Sequence, residues 1–299
     1  MSRLCEIYSN NIMSKTGWVN FGIVGLLWGI PYLFLKVAVG ELEPSVIVIS
    51  RTLIGALLLA PLAIKRSIFW LPIKRWPFLL LYSACELIGP WYLITHAEQK
   101  INSGLTGLLI ATTPIWAAIL ASIFGDKTVW HKSRLLGLIV GFIGVVAVVG
   151  LESITGNSDL ISIAMVLIAS MGYAYAINMV NRRIPEVPGL ALNTWAMIIT
   201  SIVFLPFAIV QRPTQMPSVE VVLSVIGLGV LCTALAFTMF FKVIAEIGPP
   251  RASLVTYLNT AVAVVLGIII LSEPITLGIV LGLPLVLIGS YFASRKPVA

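Results

Sequence analysis

Charge is what this sequence has least of. Only 10% of its 299 residues are Asp, Glu, Lys or Arg, against about a quarter in an ordinary soluble domain. That excludes a cytosolic enzyme, a nucleic-acid binder and a disordered tail. Histidine and cysteine are scarce too, with two and three copies. The cysteines (Cys5, Cys85, Cys232) form no CxxC pair, and two lie inside apolar runs, where they read as small buried side chains. No HExxH, no Ser/His/Asp set and no GxxxxGK[ST] phosphate loop occurs. Neither a metal site nor a cofactor is implied, and membrane-embedded catalysis and ATP-driven pumping are disfavoured. No run alternates at period two, which excludes a transmembrane barrel.

What is present is apolar sequence. Hydrophobic residues make up 59% of the chain, and the mean hydropathy is +1.04. Runs of spanning length cover 18–39, 45–64, 77–98, 103–124, 133–150, 159–181, 190–210, 218–242, 250–271 and 276–294. Ten helices of about 20 residues use about 200 positions, so no sizeable soluble domain fits beside them. The expected fold is all-α and polytopic, with the lipid bilayer as solvent. The tail 1–16 is polar and precedes a run able to span by itself, so no cleaved signal peptide is expected.

The basic residues give an orientation. With the N-terminus in the cytoplasm, fifteen of the 19 Lys and Arg fall in cytoplasmic segments and three (Lys36, Lys100, Arg212) at outer ends; Arg51 lies within a span. This bias places both termini inside and accounts for the net charge of +7 without nucleic acid.

The chain carries a weak internal repeat. A shift of about 145 places Gly137-Leu138 on Gly282-Leu283, Ile143-Gly144 on Ile288-Gly289 and Pro61 on Pro206; near the start a shift of 143 places Gly29 on Gly172. Each half (17–151 and 152–294, followed by the tail 295–299) holds five spans. An odd number inserts the second half upside down, and inverted repeats are a common transporter architecture.

The sequence resembles the EamA-type members of the drug/metabolite transporter superfamily. The resemblance rests on Gly248-Pro249-Pro250-Arg251-Ala252-Ser253-Leu254, Tyr257-Leu258, Leu271-Ser272-Glu273-Pro274-Ile275-Thr276, Gly282 and Gly289, with Trp28-Gly29 and Thr113-Pro114 in the first half. Asn259 stands where the family often has Pro, and the first half offers Asp126 but no acid aligned with Glu273. The resemblance implies a ten-helix exporter of small metabolites, often amino acids, in a bacterial-type plasma membrane.

Polar groups inside the spans are few. Arg51 and Glu86 are the charges at depth, and such residues are usually kept for a reason. Glu86 reads as a proton, cation or ammonium site, as the ion-pair partner of Arg51, or as a side chain facing a water-filled cavity without binding anything. Lys36 reads as an interfacial residue whose stem snorkels to the headgroups. Helix breaks are expected at Gly29 and Pro31, at Gly89 and Pro90, at Pro114 and at Pro284, because proline removes a backbone donor. A central cavity is expected among spans one, three, four, six, eight and nine. Its candidate binding residues are Tyr82, Glu86, Trp91, His96, Trp116, Tyr173, Tyr175, Asn178, Tyr257 and Asn259, with Tyr92 nearby. Trp18, Trp70, Trp76 and Trp130 fit an interfacial belt. Glycine stripes in spans five and ten fit either packing within the chain or a homodimer seam.

The leading expectation is a secondary transporter of amino acids or similar neutral or zwitterionic metabolites. The alternatives are a proton-coupled exporter of lipophilic cations and a channel-like or receptor-like protein. The scarcity of deep Lys and Arg counts against dianionic substrates.

Overall fold

The computed structural model describes residues 14–125, 131–154, 159–247, 252 and 255–294. Expectations on Cys5, Asp126, Trp130, most of the Gly248–Leu254 motif and the tail 295–299 lie outside them. The described residues form helices with no strand: α1 (Lys15–Ala38), α2 (Pro44–Lys65), α3 (Leu71–Ala97), α4 (Ser103–Ile123), α5 (Lys132–Ile154), α6 (Leu160–Arg183), α7 (Gly189–Val210), α8 (Val219–Glu246), α9 (Val255–Leu271) and α10 (Leu277–Ser294). Among the described residues seven helices, α1–α4 and α6–α8, are long and apolar enough to cross a membrane. The remaining three contribute shorter apolar stretches, Leu135–Ala147, Val255–Leu271 and Leu277–Phe292. Large apolar side chains such as Leu57, Phe207 and Ile269 point outward. In water such a surface would aggregate; in lipid it is the solvated face.

Two expected breaks are absent. α1 runs through the buried Pro31, and α10 runs through Pro284, without interruption. A proline in a helix costs one backbone bond, which close neighbours can absorb. Two breaks do occur near the expected places. α4 is interrupted between Ile110 and Thr113, just before Pro114. In α3 a π segment, Ala84–Ile88, directly precedes Gly89-Pro90. Pro90 has no N–H for the carbonyl four residues back, and Gly89 N–H bonds instead to Ala84 O. α8 holds a second π segment, Val230–Leu235, that the sequence reading missed. No proline marks it. There the Thr233 hydroxyl donates to Leu228 O at 2.8 Å, competing with the backbone ladder. The two π segments begin 146 residues apart, from 84 to 230, which is the repeat spacing.

Packing follows the same relation. α2 lies along α7, α5 along α10 and α4 along α9. α1 packs on α8 and α9; correspondingly, α6 packs on α3 and α4. Exchanging the halves maps this set of contacts onto itself.

The closest seam is α5 with α10. Lipid gives no hydrophobic drive between helices, so small residues and tight contact must hold them. A Cβ on Gly144 would sit 2.7 Å from Val286 N, and one on Gly289 would meet the backbone of Gly141. These glycines are thus used within the chain.

The loops latch in the same symmetric way. At the end of the bundle opposite the N-terminus, Glu41 accepts the Ser218 N–H at 2.7 Å. At the N-terminal end, Glu186 accepts from Arg75 Nε at 2.9 Å. The two acids are 145 positions apart, from 41 to 186. The Ser218 bonds hold the Glu41 carboxyl below its ordinary range, and a backbone bond followed by Arg75 does so for Glu186. Carboxyls lowered on folding stabilise above their unfolded-state values and lose that contribution as pH falls through the depressed ones. Both carboxylates are therefore ionised acceptors at neutral pH.

Gly289→Leu is expected to destabilise the protein by about 1–3 kcal/mol through overpacking, read as a lower thermal midpoint in detergent. Gly22→Ala, whose added Cβ meets no heavy atom within 4 Å, is expected to leave the midpoint unchanged.

Candidate functional site

The two π segments face the middle of the bundle, and the polar groups gather there. Gly55 lets α8 approach α2: a Cβ on it would lie 2.7 Å from Thr233 Cγ2. One turn away on α2, Arg51 reaches Thr233 Oγ1 through Nε at 2.9 Å. The guanidinium carbon sits 3.6 Å from the centroid of the Trp91 ring on α3, so the cation is held over an aromatic face. Arg51 and Trp91 are 9% and 6% exposed, so this is an interior arrangement. Among the described residues Nε makes the guanidinium's hydrogen bond, which leaves both Nη groups as donors.

Glu86 lies in the first π segment and does not pair with Arg51. Its Oε2 is enclosed and has no hydrogen-bond partner. Tyr82 on α3 and Tyr173 on α6 are within its electrostatic reach, and Tyr173 also neighbours Arg51, Trp91 and Tyr32 of α1. Tyr173 is therefore near both acid and base. Gly172 beside it admits the Cys85 carbonyl of the π segment, where a Cβ would lie 2.7 Å from that oxygen. The buried Cys232 of the second π segment neighbours Arg51.

The bundle centre thus unites Arg51, Glu86, Trp91, Tyr173 and Tyr82. Tyr32, Thr233 and Cys232 join them and escaped the sequence reading. Tyr82 has a structural duty besides, donating to Asn193 Oδ1 of α7 at 3.1 Å. The other candidates lie elsewhere. Trp116 donates to Thr112 Oγ1 at 3.1 Å, and Asn178 donates to Ala117 O at 3.1 Å and Ala174 O at 2.9 Å, tying α6 to α4. Tyr175 meets Phe124 edge-on at 6.2 Å. Tyr257 faces Tyr291 between α9 and α10. Asn259 is buried where α9 meets Gly29 of α1. His96 stacks on Tyr92, which in turn stacks on Phe204 of α7.

Lys36 does not snorkel. Its Nζ donates to the carbonyls of Glu98 and Ile101, each at 2.7 Å, where α3 ends. Trp18, Trp70 and Trp76 are exposed at helix ends, as a belt requires. Among the described residues no three of His, Cys, Asp and Glu converge as metal ligands.

Apolar helices, lipid-facing side chains and a polar centre built on two broken helices define a multi-pass membrane transporter. The model of the EamA-like transporter family matches residues 16–150 and again 160–295, and the chain belongs to that family. It is similar to the uncharacterized transporter YoaV of Bacillus subtilis (25% identity over 289 residues, 93% of this chain and 99% of the relative). An uncharacterized transporter of Archaeoglobus fulgidus is also 25% identical, over 93% and 99% of the two chains. So is the uncharacterized inner membrane transporter YedA of Escherichia coli, over 91% of each. One solved crystal structure superposes with a TM-score of 0.67 over 94% of this chain and 97% of its own, at 16% identity, which bears on the fold alone.

Thr233→Val is expected to cost about 1–3 kcal/mol by leaving the buried Arg51 Nε without its acceptor, measured as a lower thermal midpoint. Thr238→Val, which removes a hydroxyl bonded only within α8, is expected to cost less.

Proposed function

We propose that the protein is a secondary transporter exporting amino acids or similar small neutral or zwitterionic metabolites across a bacterial-type plasma membrane by alternating access. One observation carries this reading: a guanidinium and a carboxylate stand at the bundle centre without pairing to each other, and Tyr173 is near both. An amino acid presents the complementary charges. Its carboxylate suits the Arg51 Nη groups, its ammonium suits Glu86, and an apolar side chain suits Trp91 and Tyr173. Holding two such charges in the interior without an opposite charge on either is costly, so a zwitterion that satisfies both is favoured over a solute with one charge.

In this reading ten helices span the bilayer as two inverted five-helix repeats with both termini cytoplasmic. The π segments, one per repeat, flank the site and loosen the helices where access must alternate. The glycine stripes are occupied within one chain, so a single chain is the proposed unit of transport. A second reading, a proton-coupled exporter of lipophilic cations, draws support from the unpartnered Glu86 Oε2 beside Tyr82 and Tyr173.

Flux into proteoliposomes from a panel of amino acids, under imposed pH and voltage gradients, tests the proposal. Substrate on the far side is expected to accelerate flux, as in a carrier and not in a pore. Arg51→Lys, which loses the planar fork, is expected to lower flux at least about tenfold, equivalent to 1.4 kcal/mol. Glu86→Gln is expected to weaken amino-acid flux while leaving its pH dependence in place. Loss of the pH dependence would favour the cation exporter, and unchanged flux would remove Glu86 from the mechanism.

A further inference from the structure

Buried polar atoms without a partner are rare in folded proteins. Among the described residues four side-chain atoms are in that state: Glu86 Oε2, both carboxylate oxygens of Glu98, and Ser103 Oγ. Only the first belongs to the central site. The other three lie at the mouth of the bundle opposite the N-terminus, which the proposed orientation makes the outer mouth.

Glu98 follows directly on the span Leu71–Ala97, and it is 0% exposed. Every element around it is identifiable. α1 contributes Lys36 and Tyr32, and α4 contributes Thr106 and Ser103. The connection from α9 to α10 contributes Glu273. Lys36 lies within electrostatic reach of the Glu98 carboxylate and the Thr106 hydroxyl adjoins it, yet neither carboxylate oxygen has a hydrogen-bond partner of good geometry. The Lys36 ammonium donates to the Glu98 and Ile101 carbonyls at 2.7 Å. The Thr106 hydroxyl donates to Asn102 O at 3.1 Å. Glu273 accepts the Ser103 and Gly104 N–H groups at 2.8 and 3.1 Å, capping α4. Nearby, Lys100 faces Asp159 at 3.8 Å, and His96 turns to Tyr92. An ionised carboxylate without a donor, sealed from water and near a second acid, is a costly species. A neutral acid fits the same space at far lower cost.

The other repeat supplies the contrast. Ala245-Glu246 follows the second π segment as Ala97-Glu98 follows the first, 148 residues earlier (246 − 98 = 148). Glu246 is exposed at the N-terminal mouth and accepts the Ser14 N–H at 2.6 Å. Equivalent acids therefore stand at opposite mouths in opposite conditions, one sealed and one open.

We infer that Glu98 is a proton-binding site that latches the outer mouth: closure requires its carboxylate to take one proton from the outer water, and opening returns that proton to the same side. The only bond made or broken is the carboxyl O–H. Tyr32 neighbours both Glu98 and Arg51, so the latch adjoins the central site. No proton crosses the membrane through Glu98. Outer pH instead sets the share of molecules facing outward. The inference rests on the proposed orientation and on alternating access, and not on the identity of the substrate.

The test needs no substrate. In proteoliposomes the full chain carries Leu108→Cys, a position with 0% exposure on α4 behind the latch, or Gln99→Cys, an exposed control. A membrane-impermeant maleimide is added outside, and labelling of the parent chain, from its own cysteines, is subtracted. The ratio of Leu108→Cys to Gln99→Cys labelling cancels the intrinsic pH response of the thiol. That ratio is expected to rise as outer pH is raised, by up to about tenfold per pH unit while Glu98 is mostly neutral, since each pH unit changes an acid's ionised-to-neutral ratio tenfold. Adding Glu98→Gln is expected to hold the ratio low and flat. Glu98→Asp is expected to retain the pH response. A flat ratio without the Glu98 substitution, an equal rise with Glu98→Gln, or loss of the response with Glu98→Asp would each overturn the inference. Should Gln99→Cys label only in inverted vesicles, the orientation fails and the same ratios measured there decide the latch.

Discussion

The interior of a bilayer offers a protein no water, and the rest of this structure follows from that. Each backbone carbonyl released from a helix, and each charge carried inward, must find its partner within the protein. Most do. The Ser and Thr hydroxyls of α2, α7 and α8 return to carbonyls one turn back, and Lys36 covers two carbonyls where α3 ends. The exceptions are informative because the rule is strict. One oxygen of Glu86 and both of Glu98 are left without donors, the first at the centre and the others at a mouth. In a soluble protein a bound water would be the easy explanation. Here the economical one is that Glu86 meets a ligand at another stage of a working cycle and that Glu98 carries a proton in the sealed state.

Much of the architecture was readable from composition. The helices lie within a few residues of the apolar runs, because a run of about 20 such residues has little alternative in lipid. The duplication was readable too, although only from sparse Gly and Pro coincidences. The glycines at 141, 144 and 289 are held by close backbone contact, which admits no side chain. What could not be read was the use of local irregularity. Pro31 and Pro284 looked like breaks and are not, because packing absorbs one lost bond. The π segment at Val230–Leu235 looked like ordinary helix and is not. Its signal was only Thr233, a residue able to serve the backbone from its side chain.

The site was half legible. Residue type alone singled out Arg51 and Glu86, since charge at depth is expensive. Their mutual ion pair was the simplest guess and does not form. The reason is geometric: Arg51 is held toward α8 and Trp91, Glu86 sits in the π segment of α3, and Tyr173 of α6 is near both. Periodicity within one helix cannot predict a relation among α2, α3, α6 and α8. For the same reason the aromatic candidates scattered. Trp116, Tyr175 and Asn178 share a region of α4 and α6, yet they tie those helices together and do not join the centre.

Symmetry links the pieces. The π segments and the loop acids Glu41 and Glu186 recur at the repeat spacing, and the acids Glu98 and Glu246 within three residues of it, on opposite sides or at the centre. If the halves were in identical states, the two mouths would look alike. They do not: Glu98 is sealed and Glu246 is exposed. A pair of near-equivalent halves held in unequal states has a second arrangement of similar energy, reached by exchanging them. Under the proposed function that exchange is the transport step. The scarcity of charge then has a further physical meaning. Each ionised group in the moving interface would have to be desolvated or re-paired at every exchange, so a bundle that alternates is best served by few. The acids that remain stand at the centre and at the mouths, where ligand, proton or water can meet them.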